Sequence, residues 1–225
     1  AYIMRVVLDN QLIPPATATA AGAVGTCHAI AQTVLEAKQL AASRGRIIVD
    51  AHCAGKPIDL DLLDTHLDQS LPGHDEIRLT SAEPAALVAA ALRSIAESLT
   101  SLEEEHHRAA TEICCGRVSQ ASGRLPAISS AWERSAQTVG QAQQMLGVFD
   151  PSGASAAAAG IDAAAAKFHM SALAANLKTL KAALAHEDWS SLADVLEYGL
   201  CETAQSWAHW LNTAADALTP AHPTR

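Results

Sequence analysis

Three glutamates and two histidines stand side by side in residues 103–107, and these residue types could bind a metal ion. Glu103 and His106 are three residues apart, so on a helix their side chains would lie on one face. Di-iron helical bundles use this Glu-x-x-His spacing on two helices and take one more glutamate from each of the other two. Glu104 and His107 repeat this spacing in the same segment, but His169, His186 and His209 have no glutamate three residues before them. A metal site at His106 would therefore need carboxylates from elsewhere.

Two further carboxylates that could complete such a site are Asp194 and Glu197. They are three residues apart in a helical stretch, and paired carboxylates bind cations or transfer protons when they are buried together. One hypothesis is therefore a metal- or small-ligand-binding bundle that uses Glu103, His106, Asp194 and Glu197. The simpler interpretation is that these side chains are solvated or form salt bridges, and we predict no cofactor.

Aromatic residues are scarce, yet Tyr198, Trp207 and Trp210 stand close together near the end of the chain. Core packing is the simplest interpretation of two tryptophans that are three residues apart on a helix. Tryptophan is also enriched at the energetic centres of protein interfaces. The sequence therefore leaves open a partner-binding surface made by these three residues.

No motif for nucleophilic catalysis or phosphate binding occurs in the chain. There is no Gly-x-Ser-x-Gly, and residues 21–26 lack the lysine and the glycine spacing of a phosphate-binding loop. The cysteines are odd in number and form no Cys-x-x-Cys pair, which favours neither a disulfide framework nor a zinc site. We therefore predict no catalytic residue and a reducing, cytoplasmic location. The cysteines are Cys27, Cys53, Cys114, Cys115 and Cys201.

Composition and charge exclude several classes of protein. Of 225 residues, 49% are hydrophobic and 17% charged, which is typical of a globular protein. Fifteen basic residues against 24 acidic ones give a formal net charge of −9, the wrong sign for binding nucleic acid. No apolar run approaches the ~20 residues that cross a bilayer, so we predict no membrane span. Residues 1–3 resemble a vector-derived leader, with Met4 as the expected start.

The first third of the chain alternates β-rich and helical patterns, which predicts a small mixed domain. Two β-rich runs on either side of Asp9 and Asn10 predict a hairpin. A helix is predicted from an N-cap at Thr26 to a left-handed stop at Gly45. The predicted strands are residues 5–8, 11–13, 46–53, a return segment from Ile58, and 76–80, with a short helix over 61–67 before the last strand.

This order of elements resembles the β-grasp, or ubiquitin-like, fold over residues 4–81. In that fold a mixed sheet curls over one crossing helix. The resemblance implies a binding platform, because β-grasp domains often bind partners through an exposed sheet face or edge. It does not imply the conjugation chemistry of ubiquitin, because the segment has no C-terminal Gly-Gly.

The pattern over residues 82–219 predicts an antiparallel four-helix bundle. Ser81 is expected to cap the first helix, Pro84 to lie in its first turn, and apolar residues to alternate four and three apart as far as Gly116. A break is expected over residues 122–126. Abundant alanine would allow close helix packing. The other helices are predicted from about Pro126 to Gly147, over 161–185, and from Asp188 to Leu218.

The sequence thus predicts an α+β protein with a β-grasp-like domain over residues 4–81 and a helical bundle over 82–219. We expect a non-enzymatic protein-interaction module of bacterial type, that is, an adaptor, scaffold or chaperone-like protein. Its partner would be another protein, or a second copy of the chain bound through the bundle. We expect it to bind neither nucleic acid nor a membrane. The metal- or ligand-binding bundle is the alternative.

Overall fold

The computed structural model describes residues 5–14, 23–53, 55–60, 76–150 and 152–219, and the fold is α+β. The chain divides into two compact units, Ala1–Pro84 and Ala85–Arg225, which we call the N-terminal unit and the helical unit. The short helix predicted over residues 61–67 lies outside the described residues.

Five strands form a mixed sheet in the N-terminal unit: β1 (Arg5–Leu8), β2 (Gln11–Ile13), β3 (Ile47–Cys53), β4 (Lys56–Pro57) and β5 (Glu76–Ala82). Their order is β2-β1-β5-β3-β4, in which β1 and β5 are parallel and the other neighbours antiparallel. Asp9 and Asn10 have φ angles of +48° and +65°. Two positive φ angles define the type I′ turn that fits the twist of a two-residue hairpin, so the predicted hairpin is confirmed.

Helix α1 (Ala23–Ser43) packs on the inner face of the sheet. Its residues Val34 and Ala37 share one hydrophobic core with Ile77 and Leu79 of β5. The helix ends at Ser43, and Gly45, with φ +68°, forms the predicted left-handed stop. The Arg46 backbone N–H then donates to the carbonyl oxygen of Ala41 at 2.9 Å. A mixed sheet with one helix across it agrees with the β-grasp resemblance.

Two predicted N-caps are wrong. α1 begins at Ala23, so Thr26 lies inside the helix. Ser81 belongs to β5, because pairing of β5 with β3 extends to Ala82 and leaves no room for a helix before Pro84. Ser81 instead binds Asp9, whose Oδ1 accepts the Ser81 backbone N–H at 2.7 Å.

Long helices pack around one hydrophobic core in the helical unit. Each long helical segment contributes to it, for example through Leu92, Trp132, Leu173 and Leu211. The helices of the described residues are α2 (Pro84–Cys114), α3 (Val118–Phe149), α4 (Ala154–Ala158), α5 (Ala163–Ala185), α6 (Trp189–Asp194) and α7 (Cys201–Leu218), and the π-helical segment Val195–Leu200 joins the last two.

The predicted break over residues 122–126 is wrong, because α3 runs through it without interruption. Pro126 removes one backbone donor and disfavours a helix interior. Residues on both sides of the proline, Ala121 and Ile128, are buried in the core of the helical unit and favour the helix. Arg124 adds ion pairs to α2, with Glu112 at 3.0 Å and with Glu105 at 2.8 Å. The sequence pattern alone does not show these long-range ion pairs.

Two predicted helix limits in the helical unit are confirmed, at Gly116 and near Asp188. Gly116, with φ +74°, follows the end of α2. Asp188 is the N-cap of α6, and its Oδ1 accepts the backbone N–H of Ser191 at 3.0 Å. The π-helical segment that follows α6 was not predicted.

By length and composition alone, α2 could cross a membrane, with a mean hydropathy of 1.3 over its most apolar 18 residues. Its residues Leu92 and Leu99 are fully buried in the core of the helical unit. A core helix passes the same test of length and composition, so α2 is not convincing as a membrane span.

Candidate functional site

A polar group centred on His107 joins α2 to the last helices of the chain. Glu103 and His107 are one turn apart on α2, Glu197 lies in the π segment, and Cys201 and Gln205 lie on α7. His107 Nδ1 lies 3.0 Å from Glu197 Oε2. On the other side of the ring, His107 Nε2 lies 3.8 Å from Glu103 Oε1 and 3.8 Å from Cys201 Sγ. We call these five residues the His107 cluster.

The π segment places Glu197 in this cluster, and a side chain of α5 supports the segment. Asn176 Nδ2 donates to the carbonyl oxygen of Gly199 at 2.9 Å and to Thr203 Oγ1 at 2.8 Å. Thr203 Oγ1 in turn donates to the same carbonyl oxygen at 2.8 Å. These bonds satisfy backbone groups at the irregular turn. Short π segments in α-helices are frequent at functional sites.

Two pKa values in the His107 cluster are shifted upward. The hydrogen bond to Glu197 and the negative charges of Glu197 and Glu103 raise the pKa of His107, against partial desolvation. Burial raises the pKa of the Cys201 thiol to about 11, and the charges of Glu103 and Glu197 add to this effect. The contact between His107 and Glu197 therefore ties α2 to the π segment and favours the protonated form of the ring, while Cys201 stays a neutral thiol.

The spatial arrangement of Cys201, His107 and Glu197 resembles that of a nucleophile, a base and an orienting carboxylate in covalent catalysis. The nucleophilic form of cysteine is the thiolate, and a thiol with a pKa of about 11 is protonated at neutral pH. Cys201 is also 4% exposed and donates to the carbonyl oxygen of Leu196 at 3.3 Å. Cys201 is therefore not an accessible nucleophile.

His106, the histidine of the predicted metal site, is buried in the core and has 0% exposure. Its Nε2 accepts a hydrogen bond from Trp132 Nε1 at 3.3 Å, and its Nδ1 is buried with no partner in the described part of the chain. Burial, with a smaller effect of the neighbouring His107 charge, lowers the pKa of His106 to about 4. The predicted ligands Glu103 and Glu197 lie beside His107 instead. Within the described ranges, no three histidine, cysteine or acidic side chains are arranged to hold a metal ion.

Asp194, the fourth predicted ligand, is exposed at the end of α6. Its expected pairing with Glu197 assumed α-helical periodicity, but the π turn that begins at Val195 changes the rotation between the two residues. The useful signals were spacings of four: Glu103 to His107 and Glu197 to Cys201. Neither spacing shows by itself that the two pairs meet.

Trp207 and Trp210 are core residues, with exposures of 0% and 9%. Trp207 packs edge to face on Trp132 and on Trp210, and both pairs of ring centroids are 5.6 Å apart. Of the predicted partner-binding residues, only Tyr198 is exposed, at 69%. The two tryptophans therefore do not form an exposed patch with Tyr198, which was the alternative to core packing that the sequence left open.

Both tryptophans satisfy their indole N–H groups inside the core. Trp207 Nε1 donates to the carbonyl oxygen of His169 at 3.3 Å, and Trp210 Nε1 donates to that of Gly160 at 2.6 Å. The His169 ring also stacks on Trp210 at a centroid distance of 4.2 Å. Burial of a tryptophan is favourable when its N–H finds an acceptor, so these contacts explain why both side chains are inside.

The face of the sheet opposite α1 carries a row of side chains across all five strands. Val7 pairs with Leu12 on β2 and with Arg78 on β5, and His52 pairs with Arg78 and with Pro57 on β4. Residues paired directly across strands point to the same side of a sheet. Leu12 and the Arg78 side chain are both 59% exposed. We call these five residues the outer row.

Two open cavities adjoin Arg78 and Thr80, which line both of them. One has a volume of about 470 Å³ and lies beside the β1–β2 turn, and the other, of about 500 Å³, lies over β3. The first is also lined by Asp9, Asn10, Arg44, Arg46 and Leu79, and the second by Asp50, His52, Gly55 and Glu76.

No protein-family model, curated protein or solved structure matches this chain.

Proposed function

We propose that this chain is a non-enzymatic protein-interaction module, that is, an adaptor, scaffold or chaperone-like protein, and that its partner binds the outer face of the N-terminal sheet. The outer row is the observation that carries the proposal. It is apolar at Leu12 and Pro57 and cationic at Arg78. Apolar side chains with an arginine among them are typical of protein interfaces.

The state of the His107 cluster supports a function without catalysis. Its cysteine would be the strongest nucleophile of the cluster as a thiolate, but its thiol is buried and protonated. Its histidine and acidic side chains are tied to one another in an ion-paired contact between helices. The cluster is therefore better suited to holding helices together than to turnover.

The cysteines support a reducing, cytoplasmic location, which we include in the proposal. Cys53, Cys114, Cys115 and Cys201 are free thiols, and exposed free thiols are typical of reducing compartments. A second copy of the chain is the alternative partner. Exposed apolar side chains in the helical unit, such as Phe168 at 71% and Tyr198 at 69%, favour that alternative.

The test is binding by the full chain and two matched variants. The immobilised chain captures candidate partners from a native lysate, mass spectrometry identifies them, and the dissociation constant is then measured with the purified partner. Leu12→Asp places a charge in the outer row, and Leu35→Asp makes the same change at an exposed site of α1. We expect Leu12→Asp to weaken binding about tenfold or more, because it buries an unpaired charge in the interface. We expect Leu35→Asp to bind as the wild type does.

Equal binding by both variants would contradict the assignment to the outer face. Sustained turnover of any small substrate by the purified chain would contradict the non-enzymatic function. Light scattering at several protein concentrations separates the two kinds of partner. A mass that rises with concentration supports a second copy of the chain.

A further inference from the structure

The cavity beside the β1–β2 turn gathers positive charge in a unit that is acidic as a whole. Residues 1–84 contain six lysines and arginines against ten acidic residues. Three of those six, Arg44, Arg46 and Arg78, line this one cavity of about 470 Å³. Among the described residues that line it, Asp9 is the only acidic one. Such a concentration of guanidinium groups is suited to an anion.

Arg46 lines the cavity, and hydrogen bonds to neighbouring groups hold its side chain in one position. Its Nε donates to Ser81 Oγ at 2.7 Å, and its Nη2 donates to the Ser81 carbonyl oxygen at 2.6 Å. Its guanidinium also lies 3.7 Å from Asp9 and 3.8 Å from Glu83. A side chain that is already ordered loses little conformational entropy when a ligand binds.

Asp9 is ionised and lies beside Arg46, so it offsets the charge of Arg46 and leaves the positive charges of Arg44 and Arg78 for a ligand. The oxygens of Asp9 accept the backbone N–H of Ser81 at 2.7 Å and the Ser81 hydroxyl at 2.5 Å. Burial opposes ionisation of Asp9, but these hydrogen bonds and the charges of Arg46 and Arg44 outweigh it and hold the pKa of Asp9 below its usual value. Asp9 is thus a structural partner of Ser81 and Arg46.

Arg44 and Arg78 are the guanidinium groups that a ligand can reach. Arg44 is exposed just after α1 and forms no ion pair within the described part of the chain. The Arg78 side chain is 59% exposed, and its only described ion pair is with Glu76 at 2.7 Å on the same strand. An exposed ion pair of this kind contributes little stability, so a ligand can replace it.

We infer that this cavity binds the carboxylates of an acidic peptide segment of the partner. The inference rests on the proposed function, because Arg78 belongs to both the cavity and the outer row. Guanidinium groups bind carboxylates in bidentate fashion. A ligand that reaches Arg44 and Arg78 and also covers Val7 and Leu12 must carry acidic side chains beside an apolar one. A peptide segment with glutamates next to a leucine meets both conditions.

The test uses a fluorescein-labelled peptide in which consecutive glutamates lie beside a leucine, with fluorescence anisotropy as the readout. The variants of the full chain are Arg44→Gln, Arg78→Gln and the double variant. Arg5→Gln is the matched control, because it removes the same charge from an exposed residue of the same unit that does not line the cavity. Arg46 is left unchanged because it ties Ser81 to Asp9. The thermal midpoint of each variant reports whether its fold is retained.

We expect the wild type and Arg5→Gln to bind the peptide equally. The double variant should bind it at least about tenfold more weakly, because it loses charge-assisted hydrogen bonds. A peptide with glutamine in place of glutamate should not bind. Equal weakening by Arg5→Gln and by the double variant would overturn the inference, since it would show a general effect of charge. Binding of inorganic phosphate or a phosphoserine peptide, but not of the glutamate peptide, would overturn the carboxylate assignment.

The captured partner distinguishes failure of this inference from failure of the proposed function. If the double arginine variant binds the purified partner as well as the wild type does, while Leu12→Asp does not, the inference is wrong and the proposed function stands. If Leu12→Asp also binds normally, the proposed function is wrong.

Discussion

Asn176 donates its side-chain amide to the carbonyl oxygen of Gly199 at 2.9 Å, at the point where the last helix adopts π geometry. A Cβ atom at Gly199 would lie 2.9 Å from Asn176 Oδ1 and 3.2 Å from its Cγ. A Cβ at Gly199 would therefore force the Asn176 amide to shift from its hydrogen bonds to Gly199 and Thr203. Because the same π segment carries Glu197 to His107, the contact between Asn176 and Gly199 helps to set the geometry of the His107 cluster.

Gly199→Ala is expected to destabilise the protein by about 1–3 kcal/mol, the usual cost of overpacking. Gly140→Ala is the matched control, because a Cβ there meets nothing within 4 Å. Urea denaturation measures both changes. The double variant with Asn176→Ala should lose less than the sum of the single changes, because the clash disappears with the asparagine side chain. Equal tolerance of alanine at both glycines would contradict the packing argument.

A second prediction concerns the acid sensitivity that His106 confers. Its pKa is about 4 in the folded state and 6.5 in an unfolded reference, because burial disfavours the charged ring. Between these values the unfolded chain binds more protons than the folded one. The stability from neutral His106 is thus complete above pH 6.5 and is lost as pH falls towards 4. A shift of this size corresponds to about 3 kcal/mol.

The measurement is the free energy of unfolding against pH for the wild type and for His106→Phe. We expect the variant to lose less stability than the wild type between pH 6.5 and 4, whatever its stability at neutral pH. The comparison cancels the contributions of other titrating groups. His209→Phe, a change at an exposed histidine of α7, should keep the acid sensitivity of the wild type. Parallel curves for His106→Phe and the wild type would contradict the prediction.

Features fixed by neighbouring residues could be predicted from the sequence. The hairpin at Asp9 and Asn10, the helix stop at Gly45 and the cap at Asp188 each depend on the conformational preferences of one or two residues. The α+β class followed from the change of hydrophobic period near Pro84. These signals are local, so they can be seen in one sequence.

Features fixed by distant contacts could not be predicted. α3 continues through Pro126, and its residues on either side of the proline, Ala121 and Ile128, pack in a core that other helices build. The choice of His107 over His106 as the partner of Glu197 depends on which side of α2 faces the core and on an unpredicted π turn. The conformational preferences of single residues do not predict contacts between distant parts of the chain, and tertiary packing outweighs these preferences.

A third prediction separates core tryptophans from the exposed tyrosine. Trp207→Ala is expected to cost about 3–5 kcal/mol, because it empties a fully buried site between Trp132 and Trp210. Tyr198→Ala is expected to leave the thermal midpoint almost unchanged, because Tyr198 is 69% exposed. Differential scanning calorimetry measures both. A normal midpoint for Trp207→Ala would show that this side chain is not part of the core.

A fourth prediction concerns thiol reactivity. At neutral pH iodoacetamide should label the exposed Cys114 and Cys115 well before Cys201, because alkylation needs an accessible thiolate. Peptide mass spectrometry after timed quenching measures the order of labelling, and unfolding in urea should make Cys201 react. Burial is the largest cause of the raised pKa of Cys201, so Glu197→Gln should leave its labelling slow.

Rapid labelling of Cys201 in the folded wild type would contradict this prediction. It would also remove the main support for a function without catalysis, since an accessible thiolate beside His107 would be a competent nucleophile. Rapid labelling in Glu197→Gln alone would assign the raised pKa of Cys201 chiefly to the carboxylate charge. Slow labelling in both proteins, together with full reaction in urea, is the outcome expected of a thiol protected by the packing of α7 against α2.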